Sequence, residues 1–451
     1  MSHKRLLIFS FGVSIILFLL APNYYLWGYN FICSLLFLFI VIIYYLYCKK
    51  NNFFDFDTIF IFSFFITFFV YPVFLYPINP QFFIMFSFNF NEDVITRATS
   101  LSLLGFSVYI LGRLKTYKNV VSPGKYKKKR IKHYPFFYLS VIAFCLLIAT
   151  GSLSYLRSIY EGENGSITAF SKYIGVIYSP LIILTLVTDF FRQSKRNKLV
   201  KLNNLDKPMI VFIAIQAIAM LSTGRRGGVL SVFLVVIWLY SFYIKHITKS
   251  QFFSLATIGA ALLSIIGILR VGGSTDNFRL ADLFMDLIIN NRNTFVAIDY
   301  VDREGITYGE SMLACIFKII PFISSPLHRI FNLNVTETSS SLLLTKETLG
   351  DDFSLGLGTS IIADLYLGFG SLGVIIFMYL LGVFIKYLES NIRNNNNIYF
   401  IIIYAVMMSQ SVFIVRSEYF FSASQIVLCV FLYWLISKFK IGHNENNNSV
   451  Q

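Results

Sequence analysis

Of the 451 residues, 56% are hydrophobic and 18% aromatic, only 14% are charged, and the mean hydropathy is +0.67. Soluble domains hold about 45–50% apolar residues, so a soluble globular chain is excluded. The net charge of +15 does not point to nucleic acid, because Lys and Arg fall in short clusters between apolar runs and not along one soluble face.

The class is therefore an all-α, polytopic membrane protein. A helix needs about 20 mostly apolar residues to cross the hydrocarbon core. About twelve segments qualify: 6–20, 29–48, 58–76, 95–114, 135–152, 174–191, 208–222, 229–245, 251–269, 371–388, 398–415 and 425–436. The first follows Lys4 and Arg5 as a signal peptide would, yet no small-residue cleavage site comes after it, so it reads as a retained first helix. Alternating the segments places "KKNN", "KTYKNVVSPGKYKKKRIKH", "RQSKRNKLVKLNNLDK", "KHITK", "NIRNNNN" and the Lys438/Lys440 tail on one side. Positive charge marks that side as cytoplasmic, and both termini with it.

The opposite side receives one long stretch, giving four regions: transmembrane helices over 1–269, an outer loop over 270–370, three further transmembrane helices over 371–437 and a cytoplasmic tail over 438–451. A connector of that length is expected to carry structure of its own. In "NFRLADLFMDLIINNRNTFVAI", Leu280, Leu283, Phe284, Leu287 and Ile288 have helical spacing. The stretch 308–323, closed by Pro321, is similar, and both are expected as amphipathic helices over the outer face. The "NNNN" run and the "HNENNNSV" tail are low-complexity. No long internal repeat is evident, which speaks against a transporter of inverted repeats.

Cys33, Cys48, Cys145, Cys315 and Cys429 include no close pair, so neither a disulfide framework nor a zinc site is indicated. Four of the five histidines lie in basic loops or tails, leaving His328 alone in the outer loop. No metal centre and no cofactor are expected.

"MLSTGRRGGVLSV" puts Arg225 and Arg226 at an outer turn, where positive charge is not used to set orientation. One reading is a tight interfacial turn, with Gly227 and Gly228 ending a helix and the arginines reaching lipid phosphates. The other is a guanidinium pair gripping an anion, since Arg offers a planar bidentate fork. Arg270, Arg279, Arg292 and Arg416 share the outer interface and suggest a common anionic ligand, though each alone could snorkel or pair locally.

The outer side also carries Asp276, Asp282, Asp286, Asp299, Glu304, Glu310, Asp351, Asp352, Asp364 and Glu418. Asp364, in "GTSIIADLYLGFGSLG", has no neighbouring charge, and its desolvation suits general-base work; a structural hydrogen bond to a helix end would place it equally well. Glu418 is two residues from Arg416 and could pair with it or orient it. His328 ranks below the arginines, because a lone histidine is more often structural. "DFD" at Asp55–Asp57 has the spacing of a nucleotide-sugar metal pair but no Gly-rich domain around it; it reads as a helix start with Asp57 as N-cap.

These residues resemble the Wzy-type O-antigen and oligosaccharide repeat-unit polymerases of bacterial inner membranes. The resemblance rests on about a dozen apolar segments with one large outer loop, the Thr-Gly-Arg-Arg turn at 223–226, "YGESMLACIFKIIPFISSP", and "GTSIIADLYLGFGSLGVIIFMYLLG". In the last, an acid precedes Tyr and a Phe-Gly-x-x-Gly entry to the next helix. Two departures are Phe322, where Arg commonly follows Ile-Pro, and Asp364, where Glu is more usual.

The resemblance implies a GT-C-like, metal-independent glycosyltransferase that moves a glycan from undecaprenyl pyrophosphate to the non-reducing end of a new lipid-linked repeat unit on the periplasmic face. Arg225, Arg226, Arg270, Arg292 and Arg416 would meet the pyrophosphate, and Asp364, Glu418 and His328 are the candidates for proton transfer. The implied partners are the undecaprenyl-pyrophosphate-linked oligosaccharides, membrane lipids and a chain-length regulator protein. An O-antigen ligase would share the arginines, and a lipid-linked oligosaccharide flippase would hold its charges in a central cavity. A purely structural scaffold leaves the long outer loop unexplained.

Overall fold

In the computed structural model the described residues are 3–88, 90–115, 134–152, 168–196, 206–223, 226–271, 282, 284–320, 323–351, 356–395 and 397–445. Among them there is no strand. The long apolar runs form α1 (His3–Leu19), α2 (Trp27–Cys48), α3 (Phe56–Val70), α4 (Ile95–Arg113), α5 (Tyr134–Ala149), α6 (Ala169–Arg196), α7 (Lys207–Ser222), α8 (Arg226–Tyr243) and α9 (Lys249–Val271). Short helices follow: α10 (Met285–Ile288), α11 (Asn291–Glu304), α12 (Leu313–Phe317), α13 (Ser324–Ile330) and α14 (Ser340–Leu349). The chain then returns to long helices in α15 (Ile361–Asn395), α16 (Ile398–Gln410) and α17 (Ala423–Glu445).

Each apolar segment expected from the sequence falls on one of α1 to α9 or α15 to α17. Among the described residues, six helices are long and apolar enough to cross a membrane: Trp27–Cys48, Phe56–Leu75, Glu92–Arg113, Tyr173–Lys195, Arg226–Tyr243 and Ile361–Arg393. Four shorter apolar helices, at Pro135–Ala149, Lys207–Ser222, Ile398–Gln410 and Ala423–Lys438, accompany them.

The most extensive helix–helix packing is the crossing of α4 with α15. Glycines set its spacing: a Cβ on Gly112 would stand 2.4 Å from the Tyr379 carbonyl oxygen, and one on Gly382 would stand 2.2 Å from that of Tyr109. Small residues let two backbones approach where lipid offers no hydrophobic drive to association. Gly382→Leu must push the helices apart against backbone, so its cost is expected to exceed the roughly 1–3 kcal/mol of an overpacked side-chain core. The check is the yield of monodisperse protein in detergent, with Gly28→Leu, where a Cβ meets nothing within 4 Å, as the tolerated control.

Two breaks in the helices prepare the site. Pro72 lacks an N–H, which leaves the Phe68 carbonyl without its helical partner. The chain widens there into a π turn at Tyr71–Leu75, and the Asn291 amide donates to the Phe68 oxygen at 3.4 Å. In α15 the path bends at Phe369 and at Gly370, whose φ of 66° favours glycine. The expected helix start at 371 coincides with this bend, but helix also precedes it and holds Asp364 in its first turn.

The outer-loop expectations need correction. The stretch 277–298 is not one amphipathic helix: its described part holds only the four residues of α10, then restarts as α11 at Asn291. The reason is the polar run "NNRNT", Asn290 to Thr294, which is buried and bonds to other elements instead of lying on a solvated face. Asn293 donates to the Leu357 carbonyl at 3.0 Å, and Thr294 meets Ser360 at 2.8 Å. The stretch 308–323 likewise shortens to α12 after a 3-10 turn at Glu310–Met312. Pro321 and Phe322 lie outside the described residues.

Candidate functional site

Three consecutive hydroxyls at the start of α14 gather the proton-transfer candidates. The Thr338 hydroxyl lies 3.1 Å from Nε2 of His328, whose Nδ1 donates to the Ser324 carbonyl at 2.8 Å. Ser339 donates to Oε1 of Glu418 at 2.8 Å. Ser340 donates to Oδ1 of Asp364 at 2.6 Å, and the Tyr419 backbone N–H donates to Oδ2 at 2.8 Å. Asp364 is fully buried and Glu418 is 8% exposed. Asp364 sits in the first turn of α15, where the N-terminal helix dipole favours an anion. Burial and the adjacent Glu418 carboxylate push the Cys315 thiol well above its usual range, so it packs as an inert group. His328 is held from both ring nitrogens and edge-on by Phe317, an arrangement that fits a structural role as well as a chemical one.

The arginines divide into two groups. Arg226 opens α8, with Nη2 3.6 Å from Oδ2 of Asp286, and Arg416 donates from Nη1 to the Asp286 main-chain carbonyl at 3.1 Å. Gly227 permits this convergence, since a Cβ there would stand 3.3 Å from the Phe413 ring. The Arg416 guanidinium lies 5.2 Å from the centroid of that ring. Gly227 and Gly228 thus lie in the first turn of a helix and do not end one; α7 closes earlier, at Ser222. Arg292 belongs elsewhere: it is 2% exposed, donates to Thr348 at 3.0 Å and lies 5.8 Å from the Phe90 ring centroid. Burial lowers its pKa to about 10, so it stays cationic at neutral pH. Arg225, Arg279, Asp276 and Asp352, and the side chain of Arg270 in the last turn of α9, lie outside the described residues.

One short segment joins the two sets. Arg416 reaches Asp286, Glu418 reaches Ser339, and the Tyr419 N–H reaches Asp364. Three residues of extended chain span at most about 11 Å, so the backbone positions that carry the cation and Glu418 and that bind Asp364 lie close together. The Tyr419 hydroxyl anchors the segment by donating to the Phe377 carbonyl at 2.9 Å. Hydroxyl positions 338–340 were not singled out from the sequence, although "TETSSS" ahead of an apolar run is a helix-start signal. Among the described residues no group of three or more His, Cys, Asp and Glu side chains could hold a metal ion.

A second polar cluster was misread from the sequence. Asp55, not Asp57, caps α3: its carboxylate accepts the Thr58 N–H at 3.0 Å, the position an N-cap serves. Asp57 lies within the first turn, buried, and accepts from Arg113 at 2.6 Å and from the Tyr44 and Tyr109 hydroxyls at 2.5 Å each. Arg113 also donates to Glu389 at 2.6 Å. Glu389 and Asp364 lie on the same helix, separated by ~37 Å of helical rise, so this cluster occupies the opposite end of the bundle.

Apolar helices of membrane-crossing length around a site of arginine, carboxylate and hydroxyl groups define a multi-pass membrane protein with polar chemistry at one end of its bundle. The model of the family described as O-antigen polysaccharide polymerase Wzy matches residues 5–444, nearly the whole chain. The chain belongs to that family, whose members act on lipid-linked oligosaccharide repeat units in membranes and are polymerases of glycosyltransferase type. Comparison with curated proteins and with solved structures gave no match.

Proposed function

We propose that the chain transfers a growing O-antigen glycan from undecaprenyl pyrophosphate to the non-reducing end of a new lipid-linked repeat unit. The reaction takes place at the periplasmic face of a bacterial inner membrane, with α1 to α9 and α15 to α17 as its twelve spans and both termini in the cytoplasm. The observation that carries this reading is the segment Arg416 to Tyr419, which carries a phosphate-seeking cation two residues from the buried Glu418 and binds the buried Asp364 through its backbone.

In this reading Glu418 takes the proton of the attacking sugar hydroxyl as the new glycosidic C–O bond forms. The bond from the anomeric carbon to the pyrophosphate oxygen breaks, and the departing lipid pyrophosphate carries its added charge to Arg226 and Arg416, with Arg225 adjacent to Arg226 in sequence and Arg270 as a further candidate. Guanidinium groups supply the electrophilic stabilisation, so the proposed reaction is metal-independent. Asp364, with both oxygens engaged by Ser340 and Tyr419, fixes the segment that carries Arg416 and Glu418. The Asp286 carboxylate pairs with Arg226 until a phosphate displaces it.

The test uses purified protein in detergent with a synthetic polyprenyl-pyrophosphate oligosaccharide. Replacing Arg226 and Arg416 together by Ala is expected to lower transfer by at least 100-fold, on the order of one lost oxyanion donor. Asp286→Asn is expected to tighten binding of the donor by a few fold, since it removes the competing carboxylate. Unchanged transfer by the double variant, with unaltered melting temperature, would remove these arginines from the site. A reporter fused near Gly305 should lie on the periplasmic side; a cytoplasmic signal there would overturn the orientation.

A further inference from the structure

Two cavities lie side by side at the end of the bundle opposite Asp364. The first, about 640 Å³, is lined by Lys49, Arg113, His246, Lys386 and Arg393 together with aromatic rings that include Trp238. Its carboxylates are committed: Asp55 to Lys50 at 2.7 Å, and Asp57 and Glu389 to Arg113 at 2.6 Å each. Arg113 is 4% exposed and its second terminal nitrogen, Nη1, is buried with no hydrogen-bond partner. A buried guanidinium N–H without an acceptor is costly, so the cluster behind the wall of this cavity is short of one acceptor.

The second cavity, about 570 Å³, is an apolar groove whose walls include Phe190, Ile213, Ile237, Leu255 and Ile258, with Lys245 and His246 at one end. His246 borders both cavities. The turn that carries it is pinned to the α2–α3 connection, where Phe53 N–H donates to the Ile247 carbonyl at 2.9 Å and Ile247 N–H to Asn52 at 3.2 Å. A basic cavity thus opens beside an apolar groove across one fixed turn.

We propose that the two cavities together bind an anionic membrane phospholipid, its phosphate in the basic cavity and an acyl chain along the groove. Neither cavity is part of the site that carries Asp364 and Glu418, so the proposal stands apart from the transfer reaction. The combination selects a lipid over a free anion, because the groove adds burial of apolar surface that inorganic phosphate cannot use. The surplus of lysine and arginine over carboxylates in the cavity lining selects an anionic headgroup over a zwitterionic one.

Native mass spectrometry of the full chain in detergent, titrated with dioleoyl-phosphatidylglycerol, dioleoyl-phosphatidylcholine and inorganic pyrophosphate, tests this. Phosphatidylglycerol is expected to bind at least about tenfold more tightly than phosphatidylcholine. Lys386→Glu with Arg393→Glu in the lining should erase the preference. Ile213→Trp in the groove should weaken both lipids and leave pyrophosphate uptake unaltered. Equal binding of the two lipids by the unmodified protein overturns the proposal, as does pyrophosphate binding as tight as that of phosphatidylglycerol with no effect of Ile213→Trp. Should either variant melt at a lower temperature than the parent, the comparison of the three ligands on the parent protein decides.

Discussion

Glu418→Gln is expected to abolish chain extension while leaving the protein folded and its donor bound. The substitution keeps the size of the side chain and an oxygen that can accept from Ser339, which donates to Oε1 at 2.8 Å, but removes the ability to take a proton. General-base catalysis contributes about 100- to 10,000-fold, and a loss of that size reduces a polysaccharide ladder to single repeat units. Ser339→Ala should fall between the two, because it leaves the base in place and removes only the group that orients it. The measurement is the initial rate of transfer together with donor affinity: a fall in rate at constant affinity is the expected pattern. A rate within threefold of the parent for Glu418→Gln would pass the role of base to another group, with Asp364, held by the Tyr419 N–H, the first candidate.

Asp57→Ala should have the largest effect on stability. It strips Arg113 of the carboxylate bonded at 2.6 Å and leaves the Tyr44 and Tyr109 hydroxyls without their acceptor, all within a buried cluster. Removing one partner of a buried ion pair costs about 3–5 kcal/mol, a large share of the roughly 5–15 kcal/mol by which a folded domain is stable. Asp57→Asn retains an acceptor for the hydroxyls and should lie between the parent and Ala. Melting temperatures in detergent check the order, and a melting temperature for Asp57→Ala equal to the parent's would show that Glu389 alone neutralises Arg113.

The helices were legible because membrane burial writes itself into long apolar runs, and even the bend at Gly370 lay where the sequence changes character. The outer elements were not, for a physical reason: helical spacing over 277–298 was read as one amphipathic face, whereas Asn291 to Thr294 are buried and bonded to α3, α14 and the residues 357–360. Polar residues inside a membrane protein look the same in sequence whether they face water or a buried partner. Asp57 shows the same difficulty: as part of "DFD" it resembled a cap, and only the approach of Arg113, distant in sequence, reveals its partner.

The candidate site was legible in part. Arg226 and Arg416 were grouped by their place at helix ends, and the structure brings both to Asp286, while Arg292 turns into the protein toward Thr348 and Phe90. Asp364 stood out by its isolation from other charge, Glu418 by its place beside Arg416 and His328 as the outer-loop histidine, and what unites them, the hydroxyls of 338–340, has no signature beyond a run of serine and threonine.

The most direct measurement is a gel separation of the lipopolysaccharide from a strain lacking this chain, beside the same strain carrying it. A polymerase predicts that the ladder collapses to a core bearing one repeat unit and returns when the chain is restored. A core bearing none, as loss of a ligase would leave, or an unchanged ladder would contradict it.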